Sequence, residues 1–309
     1  MNAAWPWMMS MWDWRREHGN ISLFVGLKNK GVGREVLGEI NPLELDWEYI
    51  WQKSLKKGFK KEKDWDKIAT EYGKWLENDD YPDVLLNEMR ISSNDTVLDI
   101  GCGEGTITRK IAKKAKSVTG IDKSELMLEE LNKKAKEENI KNIRTIQKDI
   151  NDLSVEELRN YDIVLASRCL NGILNIKNTL LTLNEIANNY VYITVFGSST
   201  HKYKKEKAEI AGKPFKAGTD YMVLVMLLRS LGIEANVLQL ECKNLKEYHS
   251  IEEAIDRSIW RLGDLKEENR IALENYFKKI FIKNERGNWV NPKEKTDLVL
   301  IWWKKEEEK

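Results

Sequence analysis

From Asp46 onward apolar residues recur at spacings of three and four. Trp47, Ile50, Trp51 and Leu55 make one stripe, and Trp65, Ile68, Tyr72, Trp75 and Leu76 make a second. Two amphipathic helices are expected from them. Pro82 suits the first turn of a third helix running to about Met89. After Ser92-Ser93-Asn94-Asp95 the period changes, and residues 96–100 form a short β-branched and apolar run that stops at glycine, the pattern of a buried strand. Helices over 106–114, 124–137 and 176–187 then alternate with strands over 117–121, 142–147, 161–166 and 190–196. Strands separated by helices of this length require crossover connections, hence a parallel sheet with helices on both faces.

Past Gly197 the alternation loosens. Residues 200–218 are rich in lysine and read as a loop, followed by an apolar helix over 221–231 that Gly232 ends. Strands over 233–242 and 297–303 complete the sheet. Between them, Ser250 and Glu253 have the S-x-x-E spacing of a capping box, Gly263 closes that helix, and a second spans about 267–281. The expected fold class is therefore α/β: a doubly wound, mostly parallel seven-stranded sheet, with an N-terminal helical cap and a helical insertion before the last strand. Residues 1–90 would form an arm and cap, and 91–309 the α/β domain, with its insertion at about 245–290. Trp5 to Trp14 is aromatic and Gly26 to Gly38 glycine-punctuated, neither with sustained periodicity, so the first 40 residues read as an irregular arm.

Composition narrows the function classes. The chain has 309 residues, 41% hydrophobic and 33% charged, which suits one or two globular domains and argues against extensive disorder. Fifty-one Lys and Arg nearly cancel 50 Asp and Glu, so no global charge drives it towards nucleic acid or anionic lipid. No apolar run approaches the roughly 20 residues that span a bilayer. The N-terminus lacks a basic segment ahead of a continuous apolar one, so it does not read as a secretory signal, and a cytoplasmic location is the default. Cys102, Cys169 and Cys242 make no paired spacing, so reduced thiols are expected. With three histidines, His18, His201 and His249, no metal site is expected.

The first strand ends in Asp99-Ile100-Gly101-Cys102-Gly103-Glu104-Gly105 just before a helix. Ligands of parallel sheets bind beyond the carboxyl ends of strands. Glycines there permit a tight turn and let a ligand touch bare backbone, while the helix behind offers unpaired N–H groups. Thr106 stands where a dinucleotide loop needs Gly or Ala, and no Gly-Lys-Ser/Thr follows as in a P-loop. Asp122 follows the second strand about 20 residues on, a spacing from which a carboxylate can accept from ribose hydroxyls. Asp149 follows the third. Taken singly, Asp122 also suits a helix N-cap and Asp149 a turn.

Residues 97–105 resemble the first motif of class I S-adenosylmethionine-dependent methyltransferases, a D-x-G-x-G-x-G loop, and the resemblance covers about residues 95–197. It implies that S-adenosylmethionine is the cofactor and S-adenosylhomocysteine the product. It implies a binding loop of Gly101, Cys102, Gly103 and Gly105. Asp122 with Lys123 would lie at the ribose, Asp149 at the adenine amino group, and Met127 and Ile150 against the adenine ring. Asp99 and Tyr72 would lie near the methionine end, and Arg168 in the cleft.

Methyl transfer from a sulfonium needs alignment more than acid–base help, so the lack of a triad is uninformative. The fourth strand ends in Ala166-Ser167-Arg168-Cys169-Leu170-Asn171 and not in the Asn/Asp-Pro-Pro-Tyr/Phe element of amino-group methylases, and Cys169 lacks the Pro-Cys context of a cytosine-C5 nucleophile. Acceptor recognition then falls to the additions: Trp47, Trp51, Asn171, Tyr221, Arg257, Trp260 and Arg261 are the candidates. A Trp stripe at helical spacing such as Trp47 and Trp51 is more often core. Arg257, Trp260 and Arg261 share part of one helix face and could grip a carboxylate or phosphate, although such an arginine face is more often solvated. The lysine runs 53–63 and 202–207 suit RNA phosphates or solvent. His201 and His249 are bases by residue type only. A small-molecule acceptor is the first expectation, an RNA or protein methyltransferase the second, and a cofactor-binding scaffold without turnover the third.

Overall fold

The computed structural model describes residues 41–56, 64–75, 78–197, 200–215, 219–292, 294 and 297–305. The arm expected over 1–40 lies outside them, as do most of the 53–63 lysine run, Leu76 and the side chain of His201. The chain divides into two compact units, 1–46 and 47–309, and the second carries the sheet.

Ten strands and ten α-helices are described in that unit. A seven-stranded sheet has the order β3-β2-β1-β4-β5-β10-β6, from β1 (Thr96–Ile100), β2 (Ser117–Asp122), β3 (Ile143–Gln147), β4 (Tyr161–Ser167), β5 (Ala187–Phe196), β6 (Asn236–Glu241) and β10 (Asp297–Lys304). β1 pairs in parallel with β2 and β4, and β10 runs antiparallel between β5 and β6. The mostly parallel seven-stranded fold is as expected. Strand order reverses between β1 and β4, so ligands should bind at the carboxyl ends there.

The period-two pattern of the strands divides the core. Leu98, Ile100, Ile121, Val164, Ala166 and Ile193 bury one face; Val97, Val118, Ile163, Leu165 and Tyr192 bury the other. The first face is covered by α1 (Trp47–Lys56), α6 (Ile176–Ile186) and α8 (Tyr221–Ser230), and the second by α3 (Tyr81–Glu88) and α4 (Thr106–Ala112). Local signals set the helix ends. Ser124 caps α5 (Glu125–Glu137) by accepting from Met127 N at 3.1 Å, and Asp220 caps α8 through Met222 N at 2.9 Å.

Several expectations are corrected. The second N-terminal stripe is a 3-10 turn, Asp66–Ile68, continuing as α2 (Ala69–Trp75). The lysine-rich stretch expected as a loop contains α7 (Thr200–Ile210): Lys and Glu are good helix formers, and Tyr203, Lys207, Ala208 and Ala211 give it a buried stripe. The strand expected over 233–242 is shorter, Asn236–Glu241. The insertion holds the two expected helices, α9 (Ile251–Leu262) and α10 (Glu267–Ile280), but also a small antiparallel sheet of β7 (Glu247–Tyr248), β8 (Ile282–Lys283) and β9 (Trp289–Val290). Two-residue strands carry no readable period. Among the described residues, no helix is long and apolar enough to cross a membrane.

Candidate functional site

The loop after β1 is held by its own backbone and by Asp122. Cys102 N donates to Ile121 O at 3.0 Å, and Gly103 N donates to Asp122 Oδ2 at 2.8 Å while Ser124 N donates to Oδ1 at 3.0 Å. Gly101, Gly103 and Gly105 have φ of +66°, +55° and +81°, a region costly for residues with a Cβ. The three differ in what surrounds them. A Cβ on Gly101 would stand 2.4 Å from Cys169 Cβ, and one on Gly105 2.0 Å from Leu131 Cδ1. One on Gly103 meets only Met127 Sδ, at 4.0 Å. Gly101 and Gly105 thus serve packing, whereas Gly103 borders open space beside the buried Met127.

Two carboxylates flank this loop. Asp99, 1% exposed, accepts from Thr108 Oγ1 at 2.6 Å. Burial is the main cause, with help from the like charge of Asp122, of its pKa being pushed up to about 7, against the opposing Thr108 bond. Burial also raises the Asp122 carboxyl, while bonds from Ser124 and Gly103 N–H hold it down. Each carboxylate keeps lone pairs that these bonds do not use. Asp149 accepts from Asn151 N at 2.8 Å as the cap of a 3-10 turn, which fixes its carboxylate, and Ile150 packs on the edge of the core. Lys123 is exposed beside Asp122.

Arg168 follows β4 in a left-handed conformation, φ +56°. Its guanidinium lies 4.4 Å over the Tyr81 ring and 3.5 Å from Asp79. Burial disfavours its charge, but Tyr72, Tyr81 and Asp79 outweigh that and raise its pKa. The Tyr81 hydroxyl shares hydrogen bonds with Ser167 Oγ and Thr194 Oγ1, each 2.6 Å, and burial pushes its pKa up to about 12. α2 covers the glycine loop from above: a Cβ on Gly73 would meet Lys134 Nζ at 2.3 Å and Glu104 Oε2 at 3.3 Å. Tyr72, its neighbour, is edge-on to Trp65 at 5.6 Å and to Trp75 at 6.3 Å. Trp260 of α9 touches both tryptophans, at 5.2 and 5.9 Å, so the N-terminal helices and the insertion join through aromatic edges.

A sequence family described as a methyltransferase domain matches residues 91–254, more than half of the chain. The chain belongs to that family. As a class I methyltransferase its cofactor is S-adenosylmethionine. The loop suits that group: a bare glycine borders open space, and the two carboxylates suit a ligand bearing ribose hydroxyls and positive charge. A Haemophilus influenzae protein without an assigned function is 26% identical over 242 residues, 77% of this chain and 88% of that one. An iridescent-virus protein named as a candidate methyltransferase is 39% identical over 93 residues, 29% of this chain and about a third of that protein's length (32%). In fold, a candidate methyltransferase from Bacillus halodurans has a TM-score of 0.51 at 13% identity, over 73% of this chain and 99% of that one.

The acceptor candidates do not converge. Trp51 is core: it is 2% exposed and its indole N–H donates to Ile173 O at 2.6 Å. Trp47 and Tyr221 pack beside it on the same cluster, and Asn171 is exposed in a turn. Arg257 is ion-paired with Glu253 and lies over Trp75 and Tyr248 at 5.0 and 4.9 Å, whereas Arg261 is exposed on the side of α7. His249 Nδ1 is bonded to Asn288 Oδ1 at 3.2 Å. Burial pushes the Cys169 thiol up, consistent with a packed thiol. The sequence reading missed Asp79, Tyr81, Lys246 and Glu294. Lys204 and Lys207 were visible only as part of a lysine run.

Proposed function

We propose that this methyltransferase binds S-adenosylmethionine along the 101–105 loop and methylates a small molecule enclosed under α2 and α9. The aromatic junction of Trp65, Tyr72, Trp75 and Trp260 carries this reading, because it ties two separate additions together above the carboxyl ends of the strands. A roofed site suits a compact acceptor better than an RNA strand, which needs an open basic groove.

The cofactor supplies a methyl group on a sulfonium, open to in-line displacement by an acceptor nucleophile. The chain's part is orientation and exclusion of water. Asp122, fixed by two backbone N–H groups, is the ribose acceptor; Asp149 is the adenine-amino acceptor, with Met127 and Ile150 flanking the ring. Asp99 provides negative charge at the methionine end, and Tyr72 and Arg168 line the cleft above it. Lys123 and Cys102 contribute through the backbone that sets the loop.

The test is to incubate the purified protein with S-adenosylmethionine and a metabolite extract, measure S-adenosylhomocysteine release, and weigh the product. A gain of one methyl on a compact metabolite supports the reading. Methyl incorporation into RNA or protein alone would refute the acceptor class, and cofactor binding without turnover on any acceptor would identify a scaffold.

A further inference from the structure

Near Arg168 the described residues gather positive charge that the acids among them do not balance. Lys246 Nζ donates to Glu294 Oε1 at 3.2 Å, and Lys207 Nζ lies 3.7 Å from the same oxygen. Lys204 Nζ sits 4.2 Å over the ring of Phe196, the last residue of β5, and Lys207 Nζ 4.3 Å over Tyr203. Arg261 of α9 lies within electrostatic reach of all three lysines and of Glu294. Four cations thus meet one carboxylate, and Lys207 and Glu294 are almost fully buried, at 9% and 8% exposure. Asp79 reaches Lys246 but is already paired with Arg168.

A structural ion network closes its charges, because an uncompensated buried cation is expensive. This one does not. Burial first, and then repulsion from Arg261, Lys246 and its neighbour Lys207, pulls the Lys204 ammonium down to about 7. Burial also lowers Lys207, to about 8, against the attraction of Glu294. The carboxylate is unsatisfied too: among the described residues the buried Glu294 Oε2 has no hydrogen-bond partner, while both lysines gather at Oε1. An anion would neutralise the lysines, and a donor group on the same ligand would satisfy Oε2.

We propose that Lys204, Lys207, Lys246 and Arg261 form the acceptor subsite for a carboxylate or phosphate group of the small molecule, with Glu294 Oε2 receiving a hydroxyl or amino donor of that ligand. The assignment rests on the small-molecule reading above. Its position supports it. Phe196 ends β5 and Arg168 follows β4, so the cations lie at the carboxyl ends of β4 and β5, on the side of β1 away from β2, where an acceptor could approach the 101–105 loop. Burial of Lys207 favours a small anion over a nucleic-acid backbone, which uses exposed lysines.

Two measurements test it. First, thermal melts of the full chain with about 10 mM inorganic phosphate or acetate, against chloride at matched ionic strength, should show a rise for wild type. Lys207→Gln and Lys204→Gln should lose it, the second sparing both ion pairs of Glu294. No rise in wild type, or an equal rise in both variants, overturns the subsite. Second, the metabolite extract is split by anion exchange before the turnover assay. Turnover should follow the retained fraction, with KM raised roughly tenfold or more by each lysine variant and S-adenosylmethionine affinity unchanged. Turnover with unretained compounds only, or with RNA only, overturns the proposal. Absence of turnover with every fraction refutes the methyl-transfer reading of the extract instead, and the phosphate melts then decide the subsite alone.

Discussion

Replacing Asp99 by Asn isolates the energetic consequence of burying a carboxyl beneath the cofactor loop. Asn keeps the shape and can still accept from Thr108 Oγ1, so the charge is what changes. Between the ordinary 3.8 and about 7 lie roughly three pH units, at about 1.4 kcal/mol each, which sets an upper limit of ~4 kcal/mol on the cost of the ionised form. Dielectric relaxation around a buried group reduces this to about 2–4 kcal/mol. The native state binds this proton more tightly than the unfolded chain does. Its stabilising contribution is therefore complete below about 3.8, is lost as pH rises to about 7, and stays lost above.

Asp99→Asn should accordingly gain on wild type as pH rises. Paired thermal melts of the ligand-free proteins at pH 5 and pH 8 measure it. The variant's advantage should be larger at pH 8 by about 2–3 kcal/mol, several degrees at roughly 2 °C per kcal/mol for a chain of this length. S-adenosylmethionine affinity should move the other way, falling at least tenfold at pH 8, because its positive charge loses a carboxylate partner. An advantage equal at both pH values would refute the account of Asp99 as a destabilised buried acid.

Other perturbations separate binding from folding. Asp122→Ala should weaken S-adenosylmethionine by about 2 kcal/mol or more in isothermal titration, since two N–H groups now aim its oxygens at the ligand space; unchanged affinity would remove it from the site. Gly103→Ala should cost about 1–2 kcal/mol of stability for its positive φ yet lose cofactor binding, whereas Gly101→Ala should lower the melting temperature further because its Cβ also meets Cys169; the reverse ranking would contradict the roles given to the two glycines. Trp51→Phe should lower the urea midpoint by the equivalent of about 1–3 kcal/mol, since Ile173 O loses its buried donor, and should leave S-adenosylmethionine binding intact.

Where the candidate site lay in contiguous residues, it was legible before the structure. The loop 99–105 and the acids Asp122 and Asp149 each follow a strand whose β-branched run announces it, and strand ends are where a parallel sheet binds. The α7 helix was not legible because its buried stripe is made of Tyr203, Lys207 and two alanines, which lack the apolar contrast that reveals a period. Trp51 was ambiguous for the opposite reason: helical spacing fixes the face of a tryptophan but not what that face meets, here Ile173 O across 122 residues. The lysine cluster was hidden by distance. Lys207, Lys246 and Glu294 come from α7, the segment after β6 and the segment before β10, and only the assembled sheet brings the two lysines to one Glu294 oxygen.

Sheet order explains why charge of both signs can coexist in one cleft. Along β2-β1-β4-β5 the carboxyl ends present Asp122, Asp99, Arg168 and then Phe196 with Lys204 above it. The acids lie on one side of the strand reversal and the cations on the other, with the Arg168–Asp79 pair between them. The two groups do not pair with each other: Asp79 is held by Arg168, and Glu294 rather than either loop acid takes Lys207 and Lys246. On the proposed reading each half takes its counter-charge from a ligand, a cation at Asp99 and Asp122 and an anion at the lysines. A donor carrying a sulfonium and an acceptor carrying a carboxylate or phosphate meet those needs without exchanging places. The polarity of the cleft would then set the order of the two molecules along it, and the acceptor would enter with its anionic end away from the methyl group.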